Sequence, residues 1–268
     1  MERKKVKKMK DSMMKFILLL VVLSFAVIGA SGQPSSNGDG SGSGEEKGLD
    51  LFSVAELFRE AESLEKFEQA LNDSEKGINN LDLNENGEVD YIRVTETISG
   101  DTRLIVLQSA LGVDDYQDVA AIAVERESDD RYNLHLQGDE TLYGANYYVA
   151  PANNDFRAWN IVRWLFRPNY RAYVSPFGYG NYPRWWRARR PAAIDVYRKR
   201  TAALVGRNNY VYASTVRVKT VSKLGYRPRV STSVTGRTRS TTKVVNPQNG
   251  NQVRKTKTVV TTTRRKRN

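Results

Sequence analysis

The chain contains no cysteine and a single histidine among its 268 residues. Without cysteine there is no disulfide, no thiolate metal site and no thiol nucleophile. One histidine without cysteine excludes a conventional structural zinc site. A serine triad would have to recruit His135, and no Gly-x-Ser-x-Gly motif accompanies it. Carboxylates are plentiful, but a solvated acidic face accounts for them, and no set of groups has the arrangement that catalysis requires. The expectation is a non-enzymatic protein, with a carboxylate-based hydrolase as the weakest alternative. His135 itself is expected on an exposed strand face.

A long apolar run is also missing. Phe16 to Ala30 is an apolar stretch of fifteen residues, short of the roughly 20 that span a bilayer. Arg3, Lys4, Lys5, Lys7, Lys8, Lys10 and Lys15 precede or flank it, and Ala30-Ser31-Gly32 follows with small side chains. This order reads as a signal peptide over residues 1–32, cleaved near Gln33, with a retained signal-anchor as the alternative. No cysteine follows the apolar stretch, so a lipid-anchored form is excluded. The expected location is periplasmic, outer-surface or secreted.

Charge is distributed in blocks. The formal total of +12 divides into +4 over residues 1–44, −17 over 45–150 and +25 over 151–268. Such asymmetry implies either an anionic partner for the basic half or contact between the halves.

Residues 33–47 form a Gly/Ser linker that cannot bury surface. Ser53-Val54-Ala55-Glu56 fits a capping box. Val54, Leu57, Phe58, Ala61, Leu64, Phe67 and Leu71 then recur at helical spacing. Ser63 offers a second cap and a break. Strands follow over 89–97, 103–109, 118–126 and 131–137, with a fifth over 142–150, separated by turn residues at 98–101 and 127–130. The fold class is α+β: an N-terminal helix on an antiparallel meander of four to five strands, forming an acidic domain over 48–151.

Beyond Pro151 the composition changes. A short helix capped by Asp155 carries Phe156, Trp159, Val162 and Phe166. Tyr170, Tyr173, Phe177, Tyr179, Tyr182, Trp185 and Trp186 then interleave with six arginines from Arg167 to Arg190, and Ala192 to Val205 forms a further helix. This basic aromatic segment covers 152–206. Residues 207–268 are rich in Ser, Thr, Lys and Arg with few bulky apolar groups, and read as a disordered tail with transient strands around Val216-Arg217-Val218-Lys219.

The motif that carries chemistry is Asp82-Leu83-Asn84-Glu85-Asn86-Gly87-Glu88-Val89-Asp90. Its spacing is that of a calcium loop: Asp82, Asn84 and Asn86 supply side-chain oxygens, Glu88 its carbonyl, and Asp90 binds directly or through water. Calcium is the expected cofactor. Arg93 stands where an EF-hand has a bidentate glutamate, and a strand follows in place of a helix. Glu96 and Asp118 are candidates for a missing ligand. With only Asp82 and Asp90 bringing charge directly, affinity should be weak, on the order of 10⁻⁴ to 10⁻³ M. The alternative is a plain type I′ hairpin turn at Asn86-Gly87, with both residues at positive φ.

Phe67-Glu68-Gln69-Ala70-Leu71-Asn72, Asn80-Leu81-Asp82-Leu83-Asn84 and Asp90-Tyr91-Ile92-Arg93-Val94, with Gln117-Asp118-Val119-Ala120 and Gly138-Asp139-Glu140, together resemble uncharacterised exported proteins of Gram-negative bacteria that carry an EF-hand-like loop. The resemblance covers roughly residues 50–150. It implies an envelope location and no mechanism. In the basic half, arginine beside tyrosine and tryptophan suits phosphate and sugar surfaces through bidentate hydrogen bonds and stacking. Export directs this towards an anionic envelope surface of lipid headgroups, lipopolysaccharide or acidic glycans, with nucleic acid as the second choice. Against both stands packing of these aromatics onto the acidic domain.

Overall fold

The computed structural model describes residues 48–129, 131–153, 156–205, 209–213, 226–234, 237–245 and 252–260. All the described residues belong to one compact unit, Gly40–Asn268. The expected signal peptide, the Gly/Ser linker, the Asp155 cap and the strands around 216–219 lie outside the described residues.

Two helices open the unit, α1 over Leu51–Glu60 and α2 over Leu64–Leu71. The cap of α1 is Asp50 and not Ser53. The Asp50 carboxylate accepts from the Phe52 and Ser53 backbone N–H groups and from the Ser53 hydroxyl, satisfying the first turn three residues earlier than expected. Leu49 and Leu51 are fully buried on either side, so hydrophobic contact sets the entry point. Ser63 caps α2 through the Lys66 N–H, as its position after the break predicts.

The strands are β1 (Tyr91–Ser99), β2 (Thr102–Gly112), β3 (Asp115–Ser128), β4 (Arg131–Gly138), β5 (Tyr148–Pro151) and β6 (Tyr210–Ala213). They form one sheet in chain order, with every neighbouring pair antiparallel. The α+β class holds, with six strands in place of four or five. A single-turn helix α3 (Glu140–Tyr143) replaces the first half of the expected fifth strand. Asp139 caps it, and the Tyr143 ring lies against Gly138 where a side chain would stand.

β2 is buried along almost its whole length, because its apolar run Leu104–Leu107 is covered on both faces. On one face Ile105 and Leu107 join Ile92, Val94, Ile122, Leu136 and the helices in the main core. On the other, Leu104, Val106, Ala121 and Ala123 form a smaller cluster covered in part by Tyr226. The same second face corrects the reading of β4 as wet on one side. His135 is 1% exposed, beside the Tyr148 ring at 5.9 Å between centroids. Alternation in one strand could not reveal a cover supplied by another element, here Tyr148 of β5.

The basic half is built into this unit. After a 3₁₀ turn at Phe156–Ala158, α4 (Asn160–Leu165) buries Ile161, Val162 and Leu165, and α5 (Ile194–Leu204) buries Tyr197 and Thr201. β6 pairs with β5 residue for residue from Tyr148↔Ala213 to Pro151↔Tyr210. The expected disordered tail is therefore corrected at its start. Residues 210–213 complete the sheet, and the 226–233 stretch is bonded to β3 through Asp118 N–H to Arg229 O and Ser231 N–H to Gln117 Oε1. Arg237–Val245 (β7) and Gln252–Val260 (β8) pair as a separate antiparallel hairpin. Composition averaged over the tail hid these segments, which borrow partners from the body and from each other and need no core of their own.

Candidate functional site

The 82–90 loop stands on the turn between α2 and β1. Its two stems are joined by Asp90 N–H to Leu81 O at 2.8 Å and by the Asn79 amide to Asp90 O at 2.7 Å. Within it the side-chain oxygens converge. Asp82 Oδ1 and Asn84 Oδ1 both accept from the Asn86 N–H, at 3.0 and 3.1 Å, so they lie around one point. Asp82 Oδ2 accepts from Gly87 N–H at 3.0 Å, Asn86 Oδ1 from Glu88 N–H at 2.8 Å and Asp90 Oδ2 from Leu83 N–H at 2.8 Å. Positive φ occurs at Glu85 (56°) and Gly87 (85°), and not at Asn86. The backbone is thus not the two-residue type I′ hairpin, which needs both Asn86 and Gly87 there. At Gly87 no atom lies within 4 Å of where a side-chain methyl would sit, so glycine is required there by backbone conformation and not by space.

Glu88 is exposed and Asp90 buried. Burial pushes the Asp90 carboxyl up to about 7, the Leu83 N–H opposes this, and the Asp82 charge adds to it. Among the described residues no three His, Cys, Asp or Glu side chains cluster in a metal-holding arrangement. A cation here would depend on the Asn84 and Asn86 amide oxygens and the Glu88 carbonyl, the donor types a hard ion accepts. Neither extra ligand candidate is at hand. Glu96 accepts from the Tyr170 hydroxyl and Tyr173 N–H, and Asp118 from Gln108, the Tyr226 hydroxyl and Arg229 N–H. Arg93 donates to Ser175 O and lies 4.7 Å from the Tyr116 ring centre.

The arginine-aromatic segment runs beside this loop. Arg189 O accepts from Val89 N–H at 2.7 Å, the Arg189 guanidinium donates to Asn79 O, and the Asn80 side chain bonds both N–H and C=O of Ala192. Aromatic rings fix the segment further along. Trp186 meets Tyr91 and Tyr182 with centroids 5.6 and 4.2 Å apart, and Trp164 meets Tyr170 at 4.8 Å. Trp159 and Trp164 likewise pack onto the body, while Trp185 is 44% exposed. Arg163, Arg167, Arg171, Arg184, Arg187 and Arg190 are all exposed. The ion pairs among the described residues are Arg59 with Glu56 and Glu60, and Arg126 with Asp101; none of these six arginines takes part. Arg167 instead stacks over Trp164 and Tyr170, and Arg187 donates to backbone carbonyls of its own segment.

Sequence reasoning missed the group that joins these parts. Glu68, on α2, is 2% exposed. Its Oε1 accepts from the Tyr91 hydroxyl at 2.6 Å and the Ser175 hydroxyl at 2.7 Å; its Oε2 accepts from Val94 N–H at 2.9 Å and the Tyr173 hydroxyl at 3.2 Å. Burial pushes this carboxyl up, and the four donors oppose the shift. The signal was present in the helical register, where Glu68 lies between Leu64 and Leu71 on the apolar stripe. A carboxylate at such a position must find donors on the element packed against it.

Compared with known proteins, the chain matches no protein family, no curated protein and no solved structure.

Proposed function

We propose that this protein is a non-enzymatic binding protein of the bacterial envelope, an acidic α+β body that presents an arginine-aromatic band to an anionic surface and carries a calcium-binding loop at the root of that band. One observation carries the reading. Among the described residues the six exposed arginines have no carboxylate of the acidic body in ion-pair contact, so their charge is available to an outside partner. Juxtaposed aromatics add an interfacial anchor that charge alone lacks. Trp185 is that anchor, because it is exposed where Trp186 is packed against Tyr91 and Tyr182.

The test is co-sedimentation of the Gly40–Asn268 unit with vesicles with and without phosphatidylglycerol, alongside a short DNA duplex. Binding to the anionic vesicles alone is expected. Replacing Arg184, Arg187 and Arg190 by alanine should reduce the salt-sensitive part. Trp185→Ala should weaken what survives at about 1 M salt, where charge is screened within about 3 Å. Indifference to anionic vesicles overturns the reading, and equal or tighter binding to DNA transfers it to nucleic acid.

The loop is tested separately by thermal unfolding of the same unit at about pH 8, where a carboxyl of the kind found at Asp90 is ionised. A ligand tenfold above its dissociation constant stabilises the folded state by about 1.4 kcal/mol. For a unit of this size that raises Tm by about 3–5 °C. Asp82→Ala should abolish the shift. Absence of any shift at about 10 mM calcium, above the weak extracellular range, would leave the loop as a turn held by its own Asx bonds.

A further inference from the structure

A cleft of about 400 Å³ opens between α2 and the 173–185 stretch, within the 300–1,000 Å³ that ligand pockets span. One wall is the solvent side of α2, with Glu65, Lys66 and Gln69; the other carries Tyr173, Phe177 and Trp185. We infer that this cleft binds a saccharide ring. The inference goes beyond the surface-binding reading; it shares Trp185 with that reading and needs none of its arginines.

Three features point to that class. The first is the platform. Trp159, Trp164 and Trp186 each meet another ring, whereas Trp185 makes no ring contact among the described residues and stays 44% exposed at the cleft. A pyranose has an apolar face of C–H bonds that matches such a ring, and its hydroxyls point outward from the edge. The second is the opposite wall. Glu65 offers acceptors, Lys66 donors and Gln69 both, and all three are exposed and within about one helical turn, where they can meet hydroxyls around a ring edge. Lys66 and Gln69 already bond each other at 3.3 Å, a weak contact that a ligand can replace. The third is the floor. Glu68 lies there, but its two oxygens are taken by Tyr91, Ser175, Val94 and Tyr173. With that carboxylate engaged and the Glu65 charge matched by Lys66 on the same wall, the cleft has no net negative charge to hold a cation and is a poor aromatic cage.

The experiment is a titration of the ¹⁵N-labelled Gly40–Asn268 unit with chitotriose and with maltotriose, followed at the Trp185 indole and Gln69 side-chain amide resonances. Tetramethylammonium chloride is the parallel probe. Saturable shifts at both reporters with at least one saccharide are expected, with an affinity of about 1 mM or tighter. Trp185→Ala should weaken it at least tenfold. Gln69→Trp fills the cleft from an exposed helical position. It should abolish saccharide binding and leave the salt-sensitive, arginine-dependent part of phosphatidylglycerol-vesicle binding intact, which separates failure of the cleft from failure of the band. If Gln69→Trp fails to fold, the wild-type reporters still decide the question. No saturation with either saccharide at about 10 mM, or saturation with tetramethylammonium alone, overturns the inference.

Discussion

Ending the chain at Pro151 should leave a polypeptide that does not fold, even though residues 48–151 contain both opening helices and five of the six sheet strands. Truncation removes Phe156, Trp159, Ile161, Val162, Leu165, Tyr197 and Tyr210, each 9% exposed or less. Burial of a large apolar side chain contributes about 1.5–3 kcal/mol, so seven of them outweigh the roughly 5–15 kcal/mol of net stability typical of a domain. The losses are also specific. Tyr197 accepts through its hydroxyl the Asp50 N–H at 2.7 Å, at the start of α1, and the Tyr210 hydroxyl donates to Glu56 at 2.6 Å on the same helix. The β5 edge loses its partner. The 48–151 fragment is expected to give narrow amide dispersion and no cooperative melting transition, whereas residues 40–234 should melt cooperatively. A sharp transition in the shorter fragment would show that the acidic segment is a domain in its own right and that the basic segment is only docked on it.

That expectation departs from the composition-based boundary for a definable reason. The change at Pro151 is a change in charge, and charge reports the solvent-facing side chains. What joins the basic segment to the body is a sparse apolar set, Ile161, Val162, Leu165, Tyr197 and Tyr210, with exposed arginines scattered between Leu165 and Tyr197. Local patterns survived where partners are near in sequence. The Ser63 cap, the turns after β1 and β3, and the helix near 194–204 all depend on neighbours within a few residues. The Asn86-Gly87 pair failed as a guide to turn type because Asp82, Asn84 and Asn86 bond backbone N–H groups inside the loop, which places the positive φ values at Glu85 and Gly87. The loop's oxygen spacing was legible. Its surroundings were not, since Arg189 and Ala192, which fasten its stems, are about a hundred residues away. His135 and Glu68 share one lesson: a polar residue's environment is set by whatever covers it, here Tyr148 of the next strand for His135 and the distant Tyr173 and Ser175 for Glu68.

Glu68→Ala should destabilise more than any other single substitution in the site, by about 3–5 kcal/mol, since it leaves two or more buried donors without their acceptor at about 1–3 kcal/mol each. The change strands four donors at once: Tyr91 and Val94 of β1, and Tyr173 and Ser175 of the aromatic segment. Tyrosine and serine hydroxyls can turn towards other partners, but the Val94 N–H cannot, and a buried orphan N–H costs about 1–3 kcal/mol. Glu68→Gln is the informative control. Its carbonyl oxygen can keep the Val94 and Tyr173 bonds, while its amide faces Tyr91 and Ser175, whose hydroxyls can rotate to accept. A loss of about 1–2 kcal/mol is expected, well short of alanine. The pH dependence separates charge from shape. Burial raises the folded-state pKa of Glu68 above its unfolded value. Its contribution is therefore fully present below the unfolded value and declines as pH rises through the folded one. Glu68→Gln has nothing to titrate there, so the stability gap between wild type and Glu68→Gln should narrow as pH rises through that window. Urea denaturation of the Gly40–Asn268 unit across the acid-to-neutral range measures it. If the gap widens with pH, the four donors outweigh burial and hold the carboxylate ionised, reversing the direction of the shift. If Glu68→Ala costs no more than an exposed substitution, Glu68 does not join α2 to the aromatic segment, and the cleft loses its floor.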